Sequence, residues 1–417
     1  MTSTHRTAYA TVILAAVLSA VASQAATFHV TNLASGGAGS LRQAILDANS
    51  NAGPDDITFS VALTGTIELA SVLPQVTGPV NIHGPGAMQV TVDANQLGRV
   101  LEFAAAPGTS HSLFDLTLTG GRTFGADGAG VLLGTGQDLT LEEVRLVGNE
   151  VTNNSGGGLM AEASTSVVFV RSEVSGNAAY AGGGVFALGT LESTQSTFHH
   201  NAAVLQGGGL AVDVVELRET TVSGNGAPGS DFTIGEGGGI FVFDGGELTM
   251  YQTTVVGNVA DSGPGVFLLN TAEAAGLGGN IIAGNRFDGS GNEFNCNTPL
   301  GIVDNHNLSG DASCGFTGIS DLQNTDPQLL PLISAGGPTP THVPLSGSPA
   351  IDGSDDLYCA AVDQRGFVRP VDGDAIPGAE CDMGSTEYAP GTDDALVTIF
   401  SDDFDAGNTS SWSATVP

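Results

Sequence analysis

Carboxylates and arginines in the middle of the chain are the first candidates for chemistry. A glycoside hydrolase needs two carboxyl groups converging on one face, one as acid and one as nucleophile or base. Six glutamates that should point outward form no repeated acidic cluster on one strand: Glu142, Glu143, Glu173, Glu192, Glu219 and Glu247. Glu143 shares a column of adjacent repeats with Arg171, and Arg145 shares one with Glu173. We therefore predict surface ion pairs here.

A calcium-dependent lyase needs a proton-abstracting base beside an acidic Ca²⁺ site. The chain has 10 basic residues, all of them arginine, and a guanidinium is usually protonated. The repeat region contains four arginines that form no obvious catalytic set: Arg122, Arg145, Arg171 and Arg218. The stretch 288–292 lacks the central glycine and closing glutamate of a Ca²⁺ loop. The lyase constellation is therefore not evident.

Metal binding has two further candidates. The first is a group of C-terminal aspartates: Asp352, Asp355, Asp356, Asp372 and Asp374. We prefer to interpret them as solvated acidic turns, with weak Ca²⁺ binding as the alternative. His199 and His200 adjoin at a predicted strand end, so they should point to opposite sides and form no metal pair. We therefore predict no catalytic residue, no metal ligand and no cofactor.

A repeat from Leu118 to Phe287 must position any site. Glycine clusters recur every 25 to 30 residues, beginning at positions 128, 156, 182, 207, 237 and 263. Such a period predicts a stacked solenoid. One asparagine lies between successive clusters or after the last: Asn149, Asn177, Asn201, Asn225, Asn258 and Asn285. Because an asparagine amide can bond its equivalents in the coils above and below, we predict an asparagine ladder.

Strand alternation predicts which side chains fill the interior. In one repeat the inward positions hold Leu139, Leu141 and Leu146, with Val131 after the glycines, and other repeats match them. Val131 and its equivalents follow the glycine clusters and face inward, so the next residue in each repeat should face outward. An outward stripe could stack on sugar rings or a partner: Met160, Phe186, Phe241 and Phe267. Cover by flanking loops is the alternative.

One repeat carries an insertion, Gly226–Glu236, that contains Phe232. Insertions in solenoids project from one face and often carry binding residues. We include Phe232 among the ligand-binding candidates. A tolerated surface loop is the alternative.

Composition and the N-terminus bear on partners and location. A formal net charge of −34 disfavours nucleic acid, because phosphate binding needs clustered cations. The N-terminus is typical of a signal peptide over 1–25. It contains Arg6, the apolar run Val12–Val21 and small residues before a cleavage site after Ala25. No later segment has the ~20 apolar residues of a membrane-spanning helix. We expect an exported monomer.

Four cysteines follow the repeats: Cys296, Cys314, Cys359 and Cys381. Three pairings are possible. We favour Cys296–Cys314 and Cys359–Cys381, because each closes a short local loop. Zinc binding is the alternative, but the chain has no CxxC pair.

The N-terminal region predicts strands at Thr27–Val30, Ile57–Phe59, Gly65–Leu69, Val80–Ile82 and Val90–Val92, and a helix over Leu41–Ala48. Ser40 and Gln43 match a capping box, and the helix would cover the open first end of the solenoid. Gly39–Ala44 and Asp56–Phe59 resemble the Cys-Ser-Leu-Arg-Glu-Ala signature and following strand of exported bacterial β-helix proteins. Gly39 replaces the cysteine and Gln43 the glutamate.

The repeats and the C-terminal region extend this resemblance. The Gly-Gly-x-aliphatic clusters and Phe198–Asn201 resemble repeats of polymorphic outer-membrane proteins. Five C-terminal motifs resemble the choice-of-anchor Q region of exported β-helix proteins: Asp326–Leu329, Gly336–Thr341, Gly347–Asp352, Asp363–Gly366 and Asp382–Glu387. Met383 and Ser385 depart from the usual residues of that region. Residues 399–413 resemble a short tail on exported proteins of some Gram-negative bacteria. Sorting or attachment and docking on the body are equal alternatives for the tail.

The resemblance implies an all-β, single-stranded, right-handed parallel β-helix of the pectin-lyase-like superfamily, with a capping helix and an irregular disulfide-bonded C-terminal cap. We divide the chain into a signal peptide (1–25), N-terminal cap and first coils (26–117), repeats (118–287), C-terminal cap (288–390) and tail (391–417).

We expect a non-catalytic protein, secreted or at the cell surface of a Gram-negative bacterium, that binds polysaccharide or a cell-surface protein. A polysaccharide lyase or glycoside hydrolase is the alternative. A carboxylate and arginine cluster in one groove would favour the enzyme.

Overall fold

The computed structural model describes residues 24–230, 233–300, 305–355, 357–374, 376 and 378–401. The predicted signal peptide except its last two residues, Phe232, Asp356 and residues 402–417 of the tail lie outside the described residues. In the part of the chain that is described, no helix is long and apolar enough to cross a membrane.

Successive coils stack their strands into three parallel sheets, here called A, B and C. Sheet A contains β1 (Thr27–Val30), β2 (Asp55–Phe59), β4 (Val80–His83), β6 (Leu101–Phe103), β7 (Ser110–Phe114), β10 (Val131–Leu133), β11 (Asp138–Glu142), β14 (Leu159–Ala161), β15 (Ser166–Val170), β18 (Val185–Thr194), β21 (Leu210–Arg218), β24 (Ile240–Tyr251), β27 (Val266–Leu268) and β28 (Glu273–Gly278).

Sheet B contains β3 (Gly65–Glu68), β5 (Val90–Asp93), β8 (Thr117–Thr119), β12 (Arg145–Val147), β16 (Glu173–Ser175), β19 (Thr197–His199), β22 (Thr221–Ser223), β25 (Thr254–Val256), β29 (Ile281–Ala283) and β31 (Leu308–Ser309). Sheet C contains β9 (Arg122–Phe124), β13 (Glu150–Thr152), β17 (Ala178–Ala181), β20 (Ala202–Gln206), β23 (Gly226–Ala227), β26 (Val259–Ala260) and β30 (Arg286–Phe287).

The predicted inward columns form the core. Leu139 pairs in register with Val167, and Leu146 with Val174, and these side chains are buried. One apolar cluster continues from Val30 near the first strand to Phe316 beyond the last repeat. Since each large side chain contributes on the order of 1.5–3 kcal/mol on burial, these columns stabilise the stack along its whole length.

The predicted asparagine ladder is confirmed. Asn149 donates its side-chain amide to Asn177 at 3.0 Å, and the same bond joins each following pair to Asn285. The ladder continues one step further, to Asn295. A second row, at another corner, joins Asn280 to Asn307 and was not predicted. Both rows satisfy buried polar groups inside the stack.

Helix α1 (Leu41–Ser50) buries the predicted apolar face on the first coils. The Ser40 hydroxyl accepts the backbone N–H of Gln43 at 3.2 Å. The second half of the predicted capping box is wrong. The Gln43 side chain donates to Asp47, and the backbone N–H of Ser40 donates to the carbonyl of Gly37.

The C-terminal region is only partly an end cap. Both predicted disulfides form, Cys296–Cys314 and Cys359–Cys381. Leu300, Cys314 and Phe316 join the core at the far end. Beyond them, the chain turns back along the outer face of sheet B and bonds to coils well before the end. Its last described element is α2 (Thr392–Ser401).

Replacing Asn201 with alanine tests the ladder. Its side chain donates to Asn225 and to the carbonyl of Val174, and it accepts from Asn177. Because the neighbouring buried groups lose their partners, we expect Asn201→Ala to lower the free energy of unfolding by about 3 kcal/mol. Chemical denaturation measures this, with the exposed Asn292→Ala as control. Equal stability of the two variants would contradict a structural role for the ladder.

Candidate functional site

The predicted outward column is covered, which confirms the interpretation that flanking loops shield it. Phe241 is 0% exposed and stacks on Phe267 with ring centroids 5.2 Å apart. Met160 is 7% exposed, and Phe186 is partly buried against Phe243. The glycine turns cover this column, because a Cβ at position 237 would lie 2.8 Å from the Cβ of Phe241. Glycine there allows the turn to pack directly onto the ring.

The insertion at Gly226–Glu236 offers little defined geometry for a site. Its described part is tied to the body by the backbone N–H of Gly235, which donates to the Asp261 carboxylate at 3.0 Å. Ile234 is exposed. Phe232 itself lies outside the described residues, so its predicted role in binding stays a prediction.

A polar column at the corner between sheets A and B is the main feature that the sequence reasoning missed. In each coil the residue six positions before the ladder asparagine adopts a positive φ: Glu143, Arg171, Gln195, Glu219, Gln252 and Gly279. Asp115 continues the column one coil earlier. The constant spacing from the ladder is the signal that could have found it.

An open groove of about 420 Å³ lies along the first half of this column. Its floor holds Asp115, Glu143 and Arg171 from the corner, with Arg145 and Glu173 from sheet B. One wall is the loop 86–89, and the other is the C-terminal region at 334–340. We call this feature the corner groove. It concentrates carboxylates and guanidinium groups in one place.

The ion pairs that the sequence predicted form the floor of the corner groove. Arg171 binds Glu143 at 3.0 Å and also binds Glu142. Burial raises the pKa of the Asp115 carboxyl, and the hydrogen-bonded Glu143 carboxyl raises it further. The charge of Glu143 therefore acts on Asp115, while Arg171 binds Glu143.

The second predicted pair, Arg145 with Glu173, is bidentate, with N–O distances of 2.8 and 3.1 Å. Burial alone would raise the pKa of the Glu173 carboxyl, but hydrogen bonds from His199, Arg145 and Ser175 hold it well below its usual range. Glu173 is therefore a carboxylate at neutral pH. Its negative charge is fixed at the floor of the groove.

His199 and His200 do not point to opposite sides, so that prediction is wrong. Their Nδ1 atoms lie 2.8 Å apart, because His200 has a φ of 51° and turns back toward its neighbour. The ring centroids are 5.1 Å apart and the rings nearly perpendicular, as in a hydrogen bond between the two nitrogens. His199 Nε2 lies 3.2 Å from Glu173, which fixes the pair beside the groove.

A flat aromatic platform borders the corner groove. His83 and Phe114 stack with centroids 4.6 Å apart and planes within 2°. They are partners in adjacent strands of sheet A, and Glu142 follows Phe114 in the next coil. The His83 side chain is 42% exposed. Stacked rings of this kind offer a hydrophobic surface to the face of a sugar.

The C-terminal region covers the rest of the same sheet face. Thr197, Thr221 and Thr254 occupy the positions that Arg145 and Glu173 hold in earlier coils. The hydroxyl of Thr221 donates to Gln364 at 2.6 Å, and that of Thr254 accepts the backbone N–H of Ser385. The corner groove is thus the open part of a face that is filled elsewhere by the chain itself.

Buried charges hold this covering region in place. Arg365 binds Asp363 at 2.9 Å and Asp393 at 2.8 Å, and Arg369 lies 3.0 Å from Glu387. Beneath them, Glu219 of the corner column is 4% exposed. Burial raises the pKa of the Glu219 carboxyl to about 7, opposed by the charges of Arg369 and Arg218.

The acidic group considered for weak Ca²⁺ binding is partly assembled. Asp352, Asp372 and Asp374 bring carboxylate oxygens within 4.8 Å of one another. Asp352 accepts the backbone N–H groups of Gly373 and Asp374, both at 2.9 Å. These bonds give the cluster a structural role in a turn, and Ca²⁺ binding there stays a prediction.

The family model for a right handed β-helix region matches residues 108–287. Together with the three stacked parallel sheets, this match confirms the predicted right-handed parallel β-helix fold. No curated protein sequence matches the chain.

Among solved structures, the chain is similar to the crystal structure of pectate lyase Pel9A. The match has a TM-score of 0.48 and 14% sequence identity, and it covers 87% of this chain and 96% of that chain. We derive nothing about activity from a similarity at this level.

Glu219 predicts a specific dependence of stability on pH. Its pKa of about 7 in the folded protein exceeds its unfolded value, so the folded state holds a proton that the unfolded state loses as pH rises from about 4.5 to 7. Stability therefore falls by about 3 kcal/mol across that window and stays at the lower value above it. Glutamine occupies the same column position in both adjacent coils, so Glu219→Gln should fit.

Thermal or chemical unfolding of Glu219→Gln and the wild type at pH 4.5 and pH 8 measures this effect. The quantity compared is the difference in free energy of unfolding between the variant and the wild type. We expect this difference to shift by about 3 kcal/mol in favour of the variant between pH 4.5 and pH 8. Glu192→Gln, on an exposed position, is the control. A stability difference independent of pH would show that the Glu219 carboxyl is not held protonated by burial.

Proposed function

We propose that the protein is an exported, non-catalytic β-helix protein that binds a polysaccharide chain in the corner groove. The observation that carries the proposal is the pairing of the groove's charged groups with one another beside an open aromatic platform. A groove of about 420 Å³ has the size of a site for a small ligand or a segment of a chain. Export to the cell surface or medium, and the monomeric state, are part of this proposal.

The carboxylate geometry argues against hydrolysis. A retaining glycosidase holds its two carboxyl groups about 5 Å apart, and an inverting one holds them further apart to admit a water molecule. Glu142, Glu143 and Glu173 are each bound to an arginine. They are therefore held as ion-pair partners rather than as a free acid and a free nucleophile on opposite sides of a glycosidic bond.

The arginines of the corner groove are not poised as the base of a lyase reaction. Proton abstraction from a sugar ring needs a group that accepts a proton in the reaction. The arginines among the described lining residues are Arg145 and Arg171, and each is held by carboxylates that stabilise its charged form. Pairing of this kind favours the protonated guanidinium, so neither arginine is poised to take a proton.

The alternative remains a polysaccharide lyase or hydrolase. A carboxylate and arginine cluster in one groove is the feature that we expected of an enzyme, and the corner groove contains one. The pairing of its charged groups with one another is what favours binding over reaction. Turnover assays on neutral and uronic polysaccharides, with Ca²⁺ and with a chelator, separate the two functions. Turnover that disappears on chelation would overturn the proposal.

Substitution of the platform tests the binding site directly. We expect Phe114→Ala to weaken polysaccharide binding about tenfold, because loss of one stacking surface costs about 1–1.5 kcal/mol. Phe124→Ala is the matched control, since Phe124 is 80% exposed on sheet C, away from the groove. Affinity electrophoresis against a panel of soluble polysaccharides measures both variants. An equal loss in both variants would place binding elsewhere on the molecule.

A further inference from the structure

The charge balance of the corner groove restricts which polysaccharide can enter it. Four carboxylates, those of Asp115, Glu142, Glu143 and Glu173, surround the guanidinium groups of Arg145 and Arg171. Every contact that these arginines make in the groove is to a carboxylate, apart from Arg145 Nη1, which points to the sulfur of Met88 at 3.3 Å. An incoming anion therefore meets cations that are already neutralised.

We infer that the ligand of the corner groove is an uncharged, hydroxyl-rich glycan and that the groove excludes polyuronates. This inference rests on the proposed function and names its ligand class. Carboxylate oxygens only accept hydrogen bonds, so the floor selects groups that donate, such as sugar hydroxyls and acetamido N–H groups. A uronate carboxylate also only accepts. It would face Glu143 and Glu173 with no uncompensated cation between them.

Long-range electrostatics act in the same direction. The chain has a formal net charge of −34 with no lysine, so its field repels a polyanion before contact. Within the groove, Glu173 stays ionised because three donors bind it. Removing one partner of an exposed ion pair costs the fold little. Glu142 and Glu143, whose ion pairs are partly exposed, can therefore be neutralised by substitution without loss of the fold.

The platform and the wall complete a surface suited to a neutral chain. His83 and Phe114 present stacked rings at one side. Pro338 and Pro340, with Thr339 between them, form part of the opposite side. These groups are apolar or uncharged, and they match the ring faces and hydroxyl edges of a sugar. The charged floor between them supplies acceptors.

The test compares the wild type with the double variant Glu142→Gln/Glu143→Gln, which releases Arg171 from both of its carboxylates. The probes are a neutral galactomannan or glucan series and polygalacturonate, at low ionic strength where repulsion is least screened, in chelator and then in Ca²⁺. We expect the wild type to bind a neutral glycan and to bind polygalacturonate at least about tenfold more weakly in both conditions. The double variant should gain at least about tenfold in affinity for polygalacturonate.

The other possible results contradict different parts of the proposal. Binding of polygalacturonate by the wild type in chelator, or only with Ca²⁺ as a bridge, would overturn the ligand class while leaving polysaccharide binding intact. A folded double variant, checked by circular dichroism, that gains nothing would show that Glu142 and Glu143 do not exclude uronates. Failure to bind any glycan would overturn the proposed function itself, and the ligand class with it.

Discussion

The constraint on which this structure depends is the register of its stacked parallel coils. Each residue lies about 4.8 Å above an equivalent residue of the preceding coil, so one choice of side chain becomes a column. Leu146 and Val174 make a dry column, and Asn177 and Asn201 make a hydrogen-bonded one. A column of mismatched residues would leave a gap or an unsatisfied amide in every coil, and the asparagine ladder shows how closely the register is kept.

The features that were predictable from the sequence are those that repeat once per coil. The inward columns, the ladder and the pairs Glu143–Arg171 and Arg145–Glu173 all follow from counting positions relative to an asparagine. Strand alternation also gave the right direction for the Phe241 column, but alternation does not say what lies outside a strand. The glycine turn packs directly against the Phe241 side chain. The sequence of the turn contains no signal that predicts this packing.

Departures from regular strand geometry account for the other errors. His200 has a positive φ, so two adjacent histidines meet where alternation would separate them. The return of the C-terminal region along sheet B has no period at all, and only its motifs were visible in the sequence. Their role becomes clear in the fold, since Gln364 and Arg369 dock that region on threonines and a glutamine of the later coils. Buried charges of this kind require partners on both sides.

The docking of the C-terminal region also determines where a ligand can bind. The corner column is continuous from Asp115 to Gln252, yet only its first part is open, because residues from Pro340 onward occupy the face above Thr197. A chain ligand lying along the open part would cross successive coils and meet a different side chain of the column at each step. Recognition would then depend on the order of Asp115, Glu143 and Arg171 along the axis. That order places two accepting groups before a donating one, which suits hydroxyl groups that can both donate and accept.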